Sequence, residues 1–227
     1  MNKSELVTIA KDYLANTPYG IMDCRGREII ILPTVFPPSF NTTYFCEAVE
    51  KITSHFIQEN KQCRVFEMGM GSGAAVLSVA KIPGVVATAS DISPMAVLNA
   101  KANALWWDVQ CDIYQSDLFE NVPQGEFDFI FWNMPWFSVD PGGIDDVRFK
   151  MGFDPGYNNF KRFLVDVNSR LAENGKILLA VDQDMCDLEK IYHLIDTANF
   201  NAEIYKESQI HWGGLDLKLA FLLLSRK

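Results

Sequence analysis

The sequence predicts an α/β fold in which helices cover both faces of a mostly parallel sheet. Short apolar runs alternate with helical patterns after residue 60, which is the order that parallel sheets require. Two strand-like runs at 202–206 and 215–224 follow one another across Trp212-Gly213-Gly214, which is typical of an antiparallel hairpin. The 227 residues are 48% hydrophobic, which is enough apolar material for one buried core.

The elements can be assigned in order along the chain. Residues 1–60 predict a helix at about 4–15, a hairpin around Asp23-Cys24-Arg25-Gly26 and a helix at about 44–59. We interpret them as an N-terminal appendage that covers the substrate side, and 61–227 as the main α/β unit, within a single folding unit overall. In that unit the strands are expected at about 63–68, 85–89, 109–114, 127–132 and 176–182, and the helices at about 73–81, 94–105, 157–172 and 187–198. With the C-terminal hairpin, the sheet has seven strands.

Apolar runs and capping residues justify these assignments. Cys63–Met68 is mainly apolar and is followed at once by glycines, as expected for a buried strand. Ser93-Pro94 marks the start of a helix, because serine caps the free N–H groups and proline fits the first turn. Such signals locate each element without fixing its last residues.

Charge and composition exclude several classes of partner. Twenty Lys and Arg residues against 29 Asp and Glu give a net charge of −9, and no basic stripe of the kind that binds nucleic acid is present. The apolar runs are too short to cross a membrane and the first twenty residues lack an apolar signal core, so we expect a cytoplasmic protein. Five cysteines without C-x-x-C and three scattered histidines predict no metal site.

A glycine-rich loop, Glu67-Met68-Gly69-Met70-Gly71-Ser72-Gly73, links a predicted strand to a helix. Its three glycines, Gly69, Gly71 and Gly73, allow a sharp turn and the close approach of a ligand. A G-x-G-x-x-G dinucleotide loop spaces its glycines differently, and the carboxylate of Glu67 would repel a pyrophosphate. The loop therefore favours a cationic ligand without phosphate, and a tight turn without any ligand is the alternative interpretation.

Two further carboxylates follow the next two predicted strands. Asp91 lies about 20 residues beyond the glycines and is placed to accept hydrogen bonds from both hydroxyls of a ribose, although capping of the next helix would also explain it. Asp117 could bind an adenine amino group, with Ile92 and Leu118 against the ring, and a solvated capping aspartate explains it equally well. The carboxyl ends of parallel strands meet at one edge, so these carboxylates and Glu67 are expected to lie together.

The strand at 127–132 ends in Asn133-Met134-Pro135-Trp136, followed by another aromatic residue. Here the sequence resembles the class I S-adenosylmethionine-dependent methyltransferases. Within them it is most similar to the release-factor glutamine N-methyltransferase, or methyltransferase small domain, group, in which an Asn-Pro-Pro-Tyr tetrapeptide holds the target nitrogen. Asn133 and Pro135 match that tetrapeptide, whereas Met134 and Trp136 depart from it.

The resemblance implies a Rossmann-like class I methyltransferase fold that binds S-adenosyl-L-methionine. It assigns Asn133 and Trp136 as catalytic residues, which hold the target nitrogen and stack on the substrate. Thr43 matches the threonine of a proline-rich segment upstream of the glycine loop. The cofactor-binding residues that it implies are Glu67, Gly69, Gly71, Gly73, Asp91, Ile92, Asp117, Leu118, Asn133 and Thr43.

The leading hypothesis is accordingly an S-adenosylmethionine-dependent methyltransferase directed at nitrogen. We expect a small molecule as the acceptor, with a protein side chain as the second choice and nucleic acid disfavoured by the charge. One alternative is an enzyme that cyclises the amino-acid part of the cofactor to an azetidine and releases methylthioadenosine. A second alternative is a scaffold that binds the cofactor without catalysis.

Overall fold

The computed structural model describes residues 19–143, 146–212 and 215–227 of the chain. The helix expected at about 4–15 lies outside these residues. Within them, no helix is long and apolar enough to cross a membrane. The cytoplasmic location and the boundary at residue 60 stay predictions.

Nine strands form two sheets in the described part of the chain. A small antiparallel sheet consists of β1 (Gly20–Cys24) and β2 (Arg27–Ile31), which are joined by a turn at Arg25 and Gly26. The larger sheet contains β3 (Cys63–Met68), β4 (Val85–Asp91), β5 (Asp112–Gln115), β6 (Phe127–Trp132), β7 (Leu171–Asp182), β8 (Phe200–Trp212) and β9 (Leu215–Arg226).

The larger sheet has the strand order β5-β4-β3-β6-β7-β9-β8. The first five strands in this order are parallel to one another, and β9 runs antiparallel to both β7 and β8. From β3 the chain passes to β4 and β5 on one side of the sheet and then returns to β6 on the other side of β3. The strand order therefore reverses between β3 and β6. Ligands bind at such a switch point in open α/β sheets, outside the carboxyl ends of the strands. The structure therefore confirms the predicted mostly parallel seven-stranded sheet and its C-terminal hairpin.

Six α-helices connect or flank the strands in the described residues, and some of them start at a residue whose side chain caps the helix. The Ser93 side chain accepts a hydrogen bond of 3.3 Å from the Ala96 amide, and Asp187 accepts one of 3.1 Å from Lys190. The helices are α1 (Phe40–Asn60), α2 (Ala74–Val79), α3 (Pro94–Trp106), α4 (Val147–Lys150), α5 (Asn158–Asp166) and α6 (Leu188–Thr197).

The main departure from the predicted elements lies between α5 and β7. The sequence predicts one helix at 157–172, but α5 ends at Asp166 and β7 begins at Leu171. Arg226, at the far end of the chain, donates hydrogen bonds to the carbonyl oxygens of Asn168, Leu171 and Ala172. Asn168 lies between α5 and β7, and Leu171 and Ala172 begin β7, so bonds from a distant residue stabilise the early change from helix to strand.

Each face of the larger sheet carries a hydrophobic core. On one face Phe129 and Phe131 pack with Phe45 of α1 and with α2 and α3. On the other face Phe66 and Ile130 pack with the aromatic residues of α5. Because both faces are covered, the sheet is a rigid support, and its carboxyl edge is the part left open to a ligand.

Candidate active site

A cavity of about 450 Å³ lies at the carboxyl edge of the larger sheet. The loops that follow β3, β4 and β6 form its floor, and the segment that precedes α1 forms one wall. Its size falls within the range of about 300–1,000 Å³ that is usual for small-molecule sites. The position and the volume are those expected of a cofactor site in an open α/β sheet.

The glycine-rich loop after β3 is built from residues with positive φ. Gly69, Gly71 and Gly73 have φ values of +61°, +55° and +84°, which residues other than glycine rarely adopt. At Gly71 a Cβ atom would meet nothing within 4 Å, so the backbone there is open for a ligand to approach. At Gly69 the same atom would lie 3.1 Å from the Trp132 indole nitrogen. Gly69 and Gly71 line the cavity and Gly73 does not.

Glu67 and Asp91 fix this loop and line the cavity. Glu67 is 5% exposed, and its Oε2 accepts a 2.8 Å hydrogen bond from the Val76 amide in the first turn of α2. Asp91 accepts hydrogen bonds of 2.9 Å from the amides of Gly71 and Ser93. Burial raises the pKa of Glu67 to about 8 and also raises the pKa of Asp91 above its ordinary value. A bound cation would reverse this effect, because it favours the charged form of both groups.

The tetrapeptide after β6 lines the cavity next to the glycine-rich loop, because β6 pairs with β3. Asn133 is exposed to the cavity, and its Oδ1 lies 3.5 Å from the Nδ2 of Asn41. The Trp136 indole donates a 3.3 Å hydrogen bond to the carbonyl of Ala180, and the Tyr157 hydroxyl donates one of 3.0 Å to the Trp136 carbonyl. Trp136 is therefore held at two points while it lines the cavity.

The segment that follows the tetrapeptide closes on itself beside the cavity. The Phe137 amide donates to the Gly152 carbonyl at 3.0 Å, the Asp154 amide to the Phe137 carbonyl at 2.8 Å, and the Gly156 amide to the Ser138 carbonyl at 2.7 Å. These bonds close a loop over 138–151. The rings of Phe137 and Phe153 lie 4.8 Å apart at its base and, with Phe149, give this wall an aromatic surface.

Several residues that the sequence assigned to the cofactor lie away from the cavity. Gly73, Leu118, Thr43 and Asp117 do not line it. The Asp117 carboxylate forms a bidentate ion pair with Arg162, with N–O distances of 2.9 and 3.1 Å. Their binding roles stay predictions. The other predicted residues are brought together at the cavity: Glu67, Gly69, Gly71, Asp91, Ile92, Asn133 and Trp136.

The sequence reasoning missed the residues that line the wall before α1. Thr42, rather than its neighbour Thr43, lies at the cavity, and it caps the helix by accepting a 3.0 Å hydrogen bond from the Ser39 amide. Asn41 lies there as well, 6% exposed, and its side chain contacts the Ser39 hydroxyl. Ser39 and Thr42 form a capping box in the structure, but threonine stands where the usual sequence signal has Glu or Gln, so only Ser39 as a capping residue could have indicated this start of the helix.

The charges of the cavity fit the cofactor that the resemblance implies. Among the described residues, the wall carries the carboxylates of Glu67 and Asp91 and no lysine, arginine or histidine. A ligand with a positive sulfonium and an ammonium group, and without phosphate, suits such a wall electrostatically. The open backbone at Gly71 offers the close approach that a nucleoside needs.

Comparison with known proteins decides the family. The model of the methyltransferase small domain matches residues 45–206, well over half of the chain. The chain belongs to the methyltransferase small domain family. It is an S-adenosylmethionine-dependent methyltransferase, as the tetrapeptide and the glycine-rich loop predicted, and its cofactor is S-adenosyl-L-methionine.

Similar proteins include two with curated names. A protein of Methanocaldococcus jannaschii named as a protein N5-glutamine methyltransferase is 28% identical over 69% of this chain and 77% of its own length. The release factor glutamine methyltransferase of Koribacter versatilis is 29% identical over 74% of this chain. This chain spans only 62% of that second relative.

Solved structures confirm the fold class of this methyltransferase. The ribosomal protein L11 methylase of Lactobacillus delbrueckii subsp. bulgaricus superposes with a TM-score of 0.63. It is 18% identical, and the match covers 92% of this chain and all of that one. The predicted Rossmann-like class I methyltransferase fold is therefore confirmed.

Proposed function

We propose that the protein transfers a methyl group from S-adenosyl-L-methionine to the side-chain amide nitrogen of a glutamine in a protein. Asn133 carries this proposal. Asn133 follows the carboxyl end of β6, next to the glycine-rich loop that follows β3, and Met134 with its backbone carbonyl comes directly after it. Two oxygen acceptors at adjacent residues match the two N–H groups of a primary carboxamide.

The contacts of Asn133 leave room for this acceptor. A carbonyl oxygen accepts two hydrogen bonds, and Asn41 occupies one position on Oδ1 at 3.5 Å. The second position is available for an N–H of the acceptor. Holding both N–H groups would fix the direction of the nitrogen, and such orientation can contribute on the order of 7–11 kcal/mol at best.

The chemistry asks little else of the chain. When bound, the cofactor supplies a methyl group on a positively charged sulfur. The carbon–nitrogen bond forms as the carbon–sulfur bond breaks, and the nitrogen then loses one proton to water. The role of Asn133 and the Met134 carbonyl is to orient the nitrogen, and that of the aromatic wall with Trp136 is to hold the amide plane.

The cavity and the relatives together favour a neutral amide on a protein. A wall with two carboxylates and, in the described residues, no basic side chain suits an uncharged acceptor better than a phosphate-bearing one. The two similar proteins described above, from Methanocaldococcus jannaschii and Koribacter versatilis, are named for glutamine methylation, one of them on a release factor. The small-molecule acceptor expected from the sequence gains no support from them, and a protein glutamine replaces it in this proposal.

The test uses S-adenosyl-L-methionine with a tritiated methyl group and a purified bacterial release factor. We expect tritium in the factor, with peptide mass spectrometry placing one methyl group on a glutamine side chain. Free glutamine in a parallel reaction should remain unlabelled. Label in free glutamine alone, or in no glutamine residue of the protein, would overturn the proposed acceptor.

Replacing Asn133 by alanine tests the role of its side chain. We expect N133A to lower turnover by about 10²–10³-fold, the usual effect of removing one acceptor or donor that orients the reacting group. The dissociation constant of S-adenosyl-L-methionine should change less than turnover does, since Glu67, Asp91 and the glycine-rich loop stay intact. The matched control is N60A, at an exposed asparagine at the end of α1, which should leave turnover unchanged. Equal turnover of N133A and N60A would refute the assignment.

The azetidine-forming alternative has no support in the family match or in the names of the relatives. The same reactions test it directly, because methyl transfer leaves S-adenosylhomocysteine and cyclisation leaves methylthioadenosine. We expect S-adenosylhomocysteine in an amount equal to the methyl groups transferred. The scaffold alternative predicts neither nucleoside.

A further inference from the structure

The outer edge of β2 is paired with side chains rather than with a strand. Asn99 and Asn103, one turn apart on α3, are both fully buried. Asn99 accepts a 2.8 Å hydrogen bond from the Leu32 amide and donates one of 2.7 Å to the Ile30 carbonyl. Asn103 accepts one of 2.8 Å from the Ile30 amide and donates one of 2.9 Å to the same carbonyl. The two amides thus imitate a neighbouring strand.

Asn103 differs from Asn99 because its side-chain nitrogen donates a second hydrogen bond. Its Nδ2 also donates a 2.9 Å hydrogen bond to the carbonyl of Ser72. Ser72 lies between Gly71 and Gly73 in the glycine-rich loop and lines the cavity. A single buried side chain therefore connects the N-terminal hairpin, β1 and β2, to the loop that binds the cofactor.

We propose that Asn103 is a positioning residue that couples docking of this hairpin to binding of the cofactor. The loop residues have backbone angles that glycine permits but does not enforce, so contacts from outside the loop select them: Asp91 accepts from the Gly71 amide, and Asn103 donates to the Ser72 carbonyl. Asn103 supplies that contact only while Ile30 holds its side chain in place. An undocked hairpin would thus leave the Ser72 carbonyl without its partner, and cofactor affinity would fall.

Linkage makes the effect reciprocal, because two sites that are coupled change each other by the same factor. Cofactor binding must therefore hold the hairpin more firmly against α3. The hairpin continues through residues 32–39 into α1, and this connection includes Phe36 and ends beside Asn41 at the cavity wall. The coupling consequently extends to the side where the acceptor enters, whatever that acceptor is.

Hydrogen exchange of the unaltered protein tests the coupling. The amides of Ile30 and Leu32 donate to α3 and lie outside the cavity lining. With saturating S-adenosylhomocysteine, we expect their exchange to slow at least 10-fold more than that of amides in α6, which report general stabilisation by a ligand. Equal slowing in the hairpin and in α6 would overturn the proposal.

Two variants separate positioning from general support of the hairpin. N103A removes the bonds to Ile30 and to Ser72, whereas N99A removes hairpin bonds alone. We expect N103A to raise the dissociation constant of S-adenosyl-L-methionine at least 10-fold and N99A to raise it less than 3-fold, with similar losses of melting temperature. At saturating cofactor, N103A should turn over within 3-fold of the unaltered protein. Equal affinities of the two variants would refute the role of Asn103, and if N103A does not fold, the exchange experiment decides.

Discussion

Replacing Glu67 by glutamine should change how the stability of the free protein depends on pH. Glu67 is buried at the end of β3, and burial raises its pKa from 4.5 to about 8, with a smaller contribution from the negative charge of Asp91. The hydrogen bond from the Val76 amide acts in the opposite direction. Glutamine keeps an oxygen that can accept this bond but has no proton to lose. The variant therefore isolates the effect of titration.

The sign and the size follow from the two pKa values. Between pH 4.5 and about 8 the folded protein keeps a proton on Glu67 that the unfolded chain has released. Its contribution to the free energy of unfolding is thus fully present below pH 4.5 and is lost as the pH rises through about 8. At roughly 1.4 kcal/mol per pH unit, this interval corresponds to a loss of at most about 5 kcal/mol.

Urea denaturation of the cofactor-free protein, at intervals from about pH 5 to about pH 9, measures the effect. The free energy of unfolding of E67Q minus that of the unaltered protein should grow with pH and level off above the folded-state pKa. The control is E203Q, at an exposed glutamate of β8, whose curve should run parallel to that of the unaltered protein. A parallel curve for E67Q, or a difference that shrinks with pH, would refute the reasoning.

Three further predictions concern positions away from the glycine-rich loop. Gly84 has a φ of +91°, and a Cβ atom there would collide with the carbonyl of Lys61. G84A should therefore lower the free energy of unfolding, measured in urea, by at least about 3 kcal/mol. A loss under about 1 kcal/mol would contradict the clash. Y157F removes the hydroxyl that bonds to Trp136 and to the Asp187 amide, so turnover should fall while cofactor affinity, measured by calorimetry, stays constant. R162Q should leave the urea midpoint of unfolding nearly unchanged, because the Arg162 side chain is exposed and water screens its ion pair with Asp117; a clear shift of the midpoint would indicate a structural role for this ion pair.

The parallel part of the fold was predictable because its signals are local. β3 and β6 coincide with short, mainly apolar runs, and α3 begins at the Ser93-Pro94 signal that the structure confirms. Burial on both faces of the sheet makes those runs distinct from their surroundings. The edge where Glu67, Asp91 and Asn133 meet followed from topology alone, since parallel strands end together.

The remaining features depend on partners that are distant in the sequence. Nothing near Asn99 and Asn103 indicates that they pair with the edge of β2, about seventy residues earlier. In isolation such residues suit a solvated helix face, because asparagine is a weak helix former. The early start of β7 likewise depends on Arg226. Thr43 was assigned from its match to a threonine of the family that the sequence resembles, and its binding role stays a prediction. The helix starts four residues earlier than expected, and Thr42 is the threonine that lines the cavity.

The closed base of the loop over 138–151 makes the acceptor side of the cavity structurally independent of the cofactor side. Three backbone hydrogen bonds between Phe137, Ser138 and the 152–156 segment fasten both of its ends, independently of what lies between them. Lengthening a surface loop is inexpensive, about 0.6 kcal/mol for each doubling. Descendants of this chain could therefore exchange the insert and with it the molecules admitted, without altering the cofactor half. The residues of this loop can therefore vary, and with them the acceptors that the cavity admits. The glycine-rich loop is tied to its hairpin through Asn103 and tolerates less change.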